Sequence, residues 1–253
     1  MKRKYDVNDD FFILINSEEK AYLLGFFLAD GTYSLGSRCK DSYRYQIHQQ
    51  EIDKCIIDWY KNAIVPNGNI VYKEAYTDSK GTNHKGTYKL RWTSKVMHKD
   101  LELFNIYPKK TEDITFEFPF ELIPEQFIWD FIRGFFDGDG QVSYSEETHQ
   151  FTFALYGTSE KFMNQLGDIF EKEFGVEKRV EGVQKSKMIL YTLRFSANQN
   201  RQIFINSLYS KFYKDKSYFL ERKQIKFLKY LLFKYRDNPE DCERLQDIVE
   251  RRE

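Results

Sequence analysis

The stretches Leu23-Leu24-Gly25-Phe26-Phe27-Leu28-Ala29-Asp30-Gly31 and Ile132-Arg133-Gly134-Phe135-Phe136-Asp137-Gly138-Asp139-Gly140 share one pattern, 109 positions apart. Each is an apolar run that places two small residues four positions apart and then ends in Asp-Gly. Because positions i and i+4 lie on one face of a helix, each run would carry a smooth stripe that another backbone can approach closely. The pattern predicts two parallel, packed helices that bring Asp30 and Asp139 to one end.

The predicted position of these two aspartates is electrostatically unfavourable. A carboxylate at a helix C-terminus faces the negative end of the helix dipole, and here two carboxylates would also face each other. A divalent cation would remove this repulsion. For one copy alone, Asp-Gly after an apolar run is equally typical of a helix stop with a solvated aspartate. The repetition of the whole pattern favours the paired arrangement.

The two stretches resemble the motif of the LAGLIDADG homing endonucleases. In that family two such helices form the interface of two pseudo-symmetric halves, and their penultimate acids hold the metals that cut DNA. The ligands of Mg²⁺ or Mn²⁺ that the resemblance implies are the carboxylates of Asp30 and Asp139, assisted by the carbonyls of Ala29 and Gly138. The sequence departs from the family pattern at the sixth position, which is Asp137 in the second copy and Leu28 in the first.

Composition limits the class of protein. A chain of 253 residues can form one large domain or two of ordinary size, and an aromatic content of 17% excludes a disordered chain. No apolar run is long enough to span a bilayer, and the first residues lack the apolar core of a signal peptide. We therefore expect a protein that is not secreted and that lies in the cytoplasm, an organelle or a nucleoid, wherever its DNA target lies.

The charge distribution and the positions of the cysteines and histidines further limit which classes of protein are compatible with the sequence. The net charge is zero, which argues against a nucleic-acid enzyme, but residues 201–236 hold ten Lys or Arg against two acids and precede an acidic tail. The cysteines Cys39, Cys55 and Cys242 are scattered, so we expect reduced thiols. The four histidines are dispersed, which argues against zinc.

After each motif the hydrophobic pattern changes from helical spacing to alternation. Residues 40–48 and 150–156 alternate between polar and apolar side chains, which predicts strands with one buried face. Helical spacing returns at 51–64 and 159–174. Tyr191-Thr192-Leu193-Arg194-Phe195 then echoes Tyr88-Lys89-Leu90-Arg91-Trp92. The chain therefore predicts an α+β fold of two αββαββα repeats, in which antiparallel sheets form a saddle and the motif helices pack at the interface.

The predicted boundaries follow from this repeat and from the prolines between its copies. They are 1–107 for the first half, 108–124 for a linker, 125–213 for the second half and 214–253 for a C-terminal helical extension. The extension is predicted to contain a basic amphipathic helix at about 222–236, suited to DNA phosphates, and a last helix after Pro239. The segment from Lys214 to Lys223 is similar to one often found at the end of the same family, although its individual lysines are expected to be solvated.

The polar face of the predicted saddle is free to contact DNA. Long donors and acceptors on a twisted sheet suit base edges in the major groove, where Arg and Gln can recognise guanine and adenine. Taken singly, each residue is more typical of an ordinary strand surface, so the prediction concerns the face. The predicted DNA-contacting residues are Lys40, Arg44, Gln46, His48, Lys89, Arg91, Gln150, Thr152, Tyr156, Thr192 and Arg194.

The resemblance implies further residues near the aspartates. The family places a polar residue at the end of the second strand, and a lysine after the last strand and helix of each half. By position these are Gln49 and Lys214, with Lys109 or Lys110 as the first-half lysine. Gly157 occupies the place that matches Gln49, so the two half-sites are expected to be chemically unequal.

Together these observations favour a monomeric, divalent-metal-dependent, site-specific double-strand DNA endonuclease of the homing type, acting on a long DNA target and not on membranes. The alternative is a DNA-binding regulator or an intron-splicing maturase on the same scaffold, in which the acids persist only as helix ends. The near-neutral charge and Leu28 favour this alternative. DNA binding without cleavage in Mg²⁺ or Mn²⁺ would distinguish the two.

Overall fold

The computed structural model describes residues 5–36, 41–109, 112–195 and 201–236, with the backbone alone at 201 and 202. The helices are α1 (Glu18–Asp30), α2 (Lys54–Ile64), α3 (Met97–Leu103), α4 (Ile128–Asp139), α5 (Glu160–Phe174), α6 (Arg201–Tyr213) and α7 (Glu221–Tyr235). The strands are β1 (Thr32–Leu35), β2 (Tyr43–Gln50), β3 (Ile70–Lys73), β4 (Tyr76–Thr77), β5 (Asn83–His84), β6 (Thr87–Ser94), β7 (Gly140–Tyr144), β8 (Phe151–Gly157), β9 (Lys178–Lys185) and β10 (Met188–Phe195).

Two four-stranded antiparallel sheets, one in each half, have the orders β1-β2-β6-β3 and β7-β8-β10-β9. Each sheet begins directly after a motif helix. Apart from the short β4–β5 hairpin between β3 and β6, the helices and strands of α1–α3 recur in the same order in α4–α6. The predicted α+β fold with two αββαββα repeats is therefore confirmed.

Local sequence explains where the principal helices begin and end. Ser17 caps α1 by accepting a hydrogen bond from the Lys20 backbone N–H at 3.2 Å, and Ser159 caps α5 in the same way. Helix α5 ends at Gly175, whose φ of +63° is left-handed and is cheapest for glycine. These caps satisfy backbone groups that the helix ends would otherwise leave unpaired.

The motif helices α1 and α4 pack along the predicted stripes of small residues. A Cβ added to Gly25 would overlap the carbonyl oxygen of Phe131, and one added to Gly134 would overlap that of Tyr22. A Cβ added to Gly138 would overlap the Cβ of Ala29. From Gly134 to Gly138 the contact on α1 moves forward from Tyr22 to Ala29. The two helices therefore run parallel, as predicted from the repeated motif.

Between the halves, Phe116 and Phe118 of the segment that joins them belong to the core. Phe118 is buried and its ring lies 4.2 Å from that of Phe131 on α4, measured between centroids. Phe116 packs against Phe162 of α5 at 5.2 Å. The connection therefore fastens α4 and α5 together as well as joining the two halves.

The segment after α6 is held by residues of the first half. The Glu18 carboxylate accepts hydrogen bonds from the backbone N–H groups of Ser217 at 2.9 Å and Tyr218 at 3.2 Å. Arg222 makes two hydrogen bonds to the buried carboxylate of Asp53, at 2.7 and 2.8 Å. These contacts tie the start of α7 to α1 and to the segment before α2.

A buried ionic cluster connects the same segment to α4. Arg133 is fully buried and donates to Asp130 at 2.8 Å, to Glu18 at 2.8 Å and to the carbonyl of Tyr218 at 2.7 Å. Lys216 lies 2.6 Å from the Asp130 carboxylate. A guanidinium can remain buried here because its donors meet acceptors of both halves.

Several sequence expectations need correction or fall outside the described residues. The expectation of solvated lysines in the segment from Lys214 to Lys223 is wrong for Lys216 and for Lys223, which is 4% exposed. The alternation expected from residue 40 becomes a strand at Tyr43. The helix predicted after Pro239 lies outside the described residues.

Cys55 is a free thiol, and Cys39 and Cys242 lie outside the described residues. In the part of the chain that the structure describes, no helix combines the length and apolar character that a membrane span requires.

Candidate functional site

The ends of α1 and α4 meet at one place. Asp30 is the last residue of α1 and is exposed, whereas Asp139 is the last residue of α4 and is half-buried. A Cβ on Gly138, the residue before Asp139, would lie 3.6 Å from Cγ of Asp30. The structure therefore brings the two motif ends together, at the edge where β1 and β7 begin.

The surroundings of Asp30 include the glutamine expected there. The Gln49 side-chain amide donates to the Asp30 carboxylate at 2.8 Å, from the end of β2. Below this pair, the hydroxyl of Tyr60 donates to the carbonyl of Leu23 at 2.5 Å. Burial raises the pKa of Tyr60, and the nearby Asp30 carboxylate raises it further. Tyr60 therefore stays neutral and supports the helix that carries Asp30.

The surroundings of Asp139 are different. Asp139 lines a cavity of about 160 Å³ together with Tyr156, Gly157, Thr158 and Leu190. Gly157, which matches Gln49 in the repeat, brings no side chain to the carboxylate. The two aspartates thus lie in unequal environments, as the sequence predicted from Gly157.

A lysine that the sequence did not single out caps α4. The Lys223 ammonium donates to the carbonyls of Phe136 at 2.5 Å, Asp137 at 2.9 Å and Gly140 at 2.8 Å. A cation at a helix C-terminus is stabilised by the helix dipole. Burial lowers the pKa of Lys223 to about 8, although the charge of Asp137 opposes this change. No spacing signal could have identified Lys223, because only the packing of α7 brings it to α4.

The two copies of the motif differ at the sixth position, where the first has Leu28 and the second has Asp137. The structure gives a physical reason for this difference. Asp137 is buried and accepts hydrogen bonds from the Tyr22 hydroxyl at 2.8 Å and from the Leu220 backbone N–H at 2.9 Å. Burial raises its pKa, and Lys223 opposes this shift. Leu28, the first-copy counterpart, lines the cavity beside Asp139. Asp137 therefore anchors Leu220 of the C-terminal segment.

The donors at the helix ends suit a hard divalent cation. Among the described residues no three His, Cys, Asp or Glu side chains form a metal-binding group. Mg²⁺ needs no such group, since it is commonly bound through one or two carboxylates, water and substrate phosphate. The exposed carboxylate of Asp30, Asp139 and the carbonyls of Ala29 and Gly138 would be its ligands.

The first sheet presents a basic face opposite the helices. Gln46 pairs with Arg91 and His48 pairs with Lys89, and directly paired residues share a face. The neighbours Tyr45, Ile47, Leu90 and Trp92 are buried on the other face. Arg91 donates to the Gln46 side chain at 2.7 Å. Burial lowers the pKa of His48, and so do Lys89, Arg91 and Lys73.

The second sheet presents a less basic face. Thr192 pairs with Tyr156 and Thr152 pairs with Ser143 on this face, and Arg194 pairs with Arg179. The expectation that Thr192 is freely presented needs correction, because it is only 9% exposed. The Tyr156 hydroxyl donates to the Gln141 side chain.

The remaining residues predicted to contact DNA or to lie near the aspartates are on the surface or outside the described residues. Gln150 lies one residue before β8 and is exposed, as Arg44 is on β2. Lys214 follows α6 and is exposed, and Lys109 lies at 3.5 Å from Glu112 on the surface. Lys40 and Lys110 lie outside the described residues. Lys73, Arg179 and Lys185 were missed because the sequence did not resolve β9 or the register of β3.

Replacing Lys223 with methionine is expected to cost about 2 kcal/mol of stability, since three carbonyls lose a charged donor. Because the pKa of folded Lys223 is about 8 and that of unfolded lysine about 10.4, the unfolded state binds more protons between these values. The free energy of unfolding should therefore rise with pH in this window for the parent but less for Lys223→Met.

Urea unfolding at several pH values in that window measures the difference. The control is Lys226→Met on the exposed side of α7. In this variant the free energy of unfolding should rise with pH as it does in the parent. Above about pH 10 the tyrosines Tyr22, Tyr60 and Tyr213, whose pKa values burial raises, should lower stability in all three proteins. An unchanged rise in Lys223→Met would contradict the assignment.

Comparison with known proteins identifies a protein family that part of the chain matches. Residues 126–208 match the family model described as a LAGLIDADG-like domain. The second half of the chain therefore contains a LAGLIDADG-like domain, and the resemblance inferred from the two motifs is confirmed. No curated protein matches the chain.

Solved structures extend the likeness to both halves. The I-SmaMI LAGLIDADG homing endonuclease bound to cleaved DNA has a TM-score of 0.53 at 14% identity, covering 90% of this chain and 95% of that chain. The homing endonuclease I-WcaI bound to its DNA recognition sequence has a TM-score of 0.53 at 11% identity, covering 83% and 87%. The LAGLIDADG meganuclease I-AabMI bound to uncleaved DNA has a TM-score of 0.50 at 16% identity, covering 90% and 97%. The chain has the fold of these endonucleases.

Proposed function

We propose that the protein is a divalent-metal-dependent, site-specific endonuclease of the homing type that cuts both strands of a long DNA target as a monomer. The observation that carries this proposal is the meeting of two aspartate-bearing helix ends beneath two polar sheet faces. It would act wherever its target DNA lies, in a cytoplasm, organelle or nucleoid. The fold shared with DNA-bound endonucleases supports the same function.

In the proposed reaction each aspartate serves the cut in one strand. Asp30 and Asp139 would hold Mg²⁺ or Mn²⁺, assisted by the carbonyls of Ala29 and Gly138. The bound ions supply an activated water, neutralise charge at the phosphate and stabilise the leaving alkoxide. Gln49 orients the Asp30 carboxylate through its amide. Lys214 and Lys110 remain candidates for contact with the phosphate.

The polar faces would hold the duplex. Arg44, Gln46, His48, Lys89 and Arg91 would contact base edges from the first sheet. Phosphate contacts would come from cations of α7 other than Arg222, which pairs with Asp53, and Lys223, which is buried against α4. The contributions of the second sheet would come from Thr152, Tyr156 and Arg194, with Thr192 acting through packing. Net neutrality does not oppose this function, since the strands of the first sheet contain neither Asp nor Glu.

Incubation with randomised duplexes in Mg²⁺ tests the function. The expected result is a small set of cleaved sequences that disappears when EDTA removes the metal. Specific binding without cleavage in either Mg²⁺ or Mn²⁺ would favour the alternative, a DNA-binding regulator or splicing maturase. The side-chain gap at Gly157 is the observation that keeps this alternative open. Absence of any DNA binding would reject both.

The two strands are expected to be cut at different rates. Gln49→Leu should slow one strand about tenfold, the scale of losing a group that orients a metal ligand. Gly157→Gln should speed the other strand, because Gly157 lines the cavity of Asp139 and an added Cβ there would meet only the Met163 side chain. A duplex labelled on both strands measures the two rates.

The matched control for this experiment is Gln50→Leu, an exposed neighbour on β2 that is one residue beyond Gln49. It should leave the ratio of the two rates unchanged. Equal slowing of both strands by Gln49→Leu would contradict a role confined to the Asp30 side.

A further inference from the structure

The faces of the two sheets differ most where they approach the aspartates. On the first sheet, the hydrogen bond from Gln49 to Asp30 places the end of β2 at the aspartate. The residues beside that end are His48 and its partner Lys89, followed by Lys73 on β3. We call Lys73, Lys89, Arg91 and Arg44 the cationic row.

The corresponding part of the second sheet is apolar. Leu190 lines the cavity of Asp139 and pairs with Val183 of β9. Met188 lies two residues before Leu190 and therefore faces the same side of the sheet. We call Val183, Met188 and Leu190 the apolar patch. It faces the same way as Thr192 and Tyr156, toward the proposed duplex.

Burial shows that the fold does not use this patch as core. Val183 is 52% exposed and Met188 is 40% exposed. Charged residues of both signs lie on the same face around it. Met188 pairs with Lys185 and Arg194 pairs with Arg179, while Thr192 pairs with Glu181. Because three cations lie here against one acid, this exposed apolar patch still suits a polyanion that presents apolar groups, a description that fits the thymine-containing major groove.

The major groove explains why the two faces would prefer different bases. Thymine presents a C5-methyl group, which apolar side chains contact, whereas guanine presents two acceptors, N7 and O6, which Arg and Lys contact. The cationic row contains no acid to compete for its donors, since β1, β2, β3 and β6 contain neither Asp nor Glu.

We propose that the two halves recognise chemically different half-sites. The apolar patch contacts thymine methyl groups in the base pairs next to Asp139, and the cationic row contacts guanine acceptors in the base pairs next to Asp30. The inference rests on the proposed function, and it adds the base classes and the residues that select them. Thr87, which matches Leu190 in the repeat, leaves the first half without the equivalent apolar side chain.

Modified bases test the proposal on the best duplex from the selection. Replacing thymines of one half-site with uracil removes only the methyl groups and should weaken binding about fourfold per contacted methyl, the effect of losing one buried carbon. Replacing guanines of the other half-site with 7-deazaguanine removes N7 and should weaken binding about tenfold per contacted base. Each replacement in the opposite half should change the dissociation constant little.

Substitutions in the apolar patch and in the cationic row test which sheet contacts which half-site. Serine in place of all three residues of the apolar patch should abolish the sensitivity to uracil without changing the sensitivity to 7-deazaguanine. Arg91→Ala should lower the sensitivity to 7-deazaguanine without changing the sensitivity to uracil. The matched control is Val71→Ser, an exposed apolar residue on the face of the first sheet. It should retain the parental sensitivity to uracil. Thermal unfolding of each variant verifies that the fold is retained.

The outcomes separate this inference from the proposed function. A protein that binds and cleaves a selected duplex, but is indifferent to uracil in both half-sites, overturns the inference and leaves the nuclease intact. Uracil sensitivity that survives serine at all three positions of the apolar patch also overturns it. A protein that binds no duplex fails at the proposed function itself.

Discussion

Asp30→Asn and Asp139→Asn proteins are each expected to lose cleavage of one strand by about a thousandfold, and the double variant should cut neither strand. Losses of this size follow when groups that stabilise transition-state charge are removed. The substitution keeps the shape of the side chain but removes the charge that would hold the ion. A duplex labelled on both strands, incubated in Mg²⁺, gives the rate for each strand.

Two measurements distinguish a loss of catalysis from a loss of folding: DNA binding by the variants and cleavage by a matched control variant. Both single variants should still bind the duplex in the absence of metal, since an amide in place of a carboxylate reduces repulsion of the phosphates. The control is Asp58→Asn on α2, whose carboxylate pairs with Lys54 on the surface and contributes little to stability. Full cleavage of both strands by the double variant would overturn the catalytic assignment.

Gly134→Ala is expected to destabilise the protein by more than about 3 kcal/mol, at or beyond the upper end for overpacked cores. The added Cβ would overlap the carbonyl oxygen of Tyr22, a backbone atom of a buried helix that cannot move alone. The helices α1 and α4 would have to separate, and the ends carrying Asp30 and Asp139 would move with them. Urea unfolding measures the loss of stability.

The matched control is the same substitution at Gly167 on α5. There the nearest group is the flexible methylene chain of Lys178, which can move aside. Alanine is also the better helix former, so the change should be small. If both variants lost stability equally, close backbone contact between α1 and α4 would not explain the small residues of the motif.

The motif helices and the repeat were predictable because their signals are local or repeated. Small residues four apart require close packing wherever a helix forms, and the two copies supply each other as partners. Alternation identified β2 and β8 because one face of each strand is buried. The hydrogen bond from Gln49 to Asp30 follows the position inferred from the family.

Other features depended on contacts between distant parts of the chain. Asp137 fitted the motif at its sixth position, but nothing local showed that it binds Leu220 and lies near Lys223, more than 80 positions away. Lys216 and Lys223 looked like solvated cations of a basic segment, but the fold pairs Lys216 with Asp130 and buries Lys223 against α4. The apolar patch could not be predicted because it requires the register of β9 on β10.

The sequence by itself determined that two helices with matching small-residue stripes carry Asp30 and Asp139 to a common end, since this outcome needs only helical periodicity and steric fit. Only the tertiary structure decided how unequal the surroundings of the two aspartates are. Charge and burial at Gln49, Lys223 and Leu190 depend on which distant segments pack together, and a lysine is solvated or buried according to those neighbours rather than to its own position in the sequence.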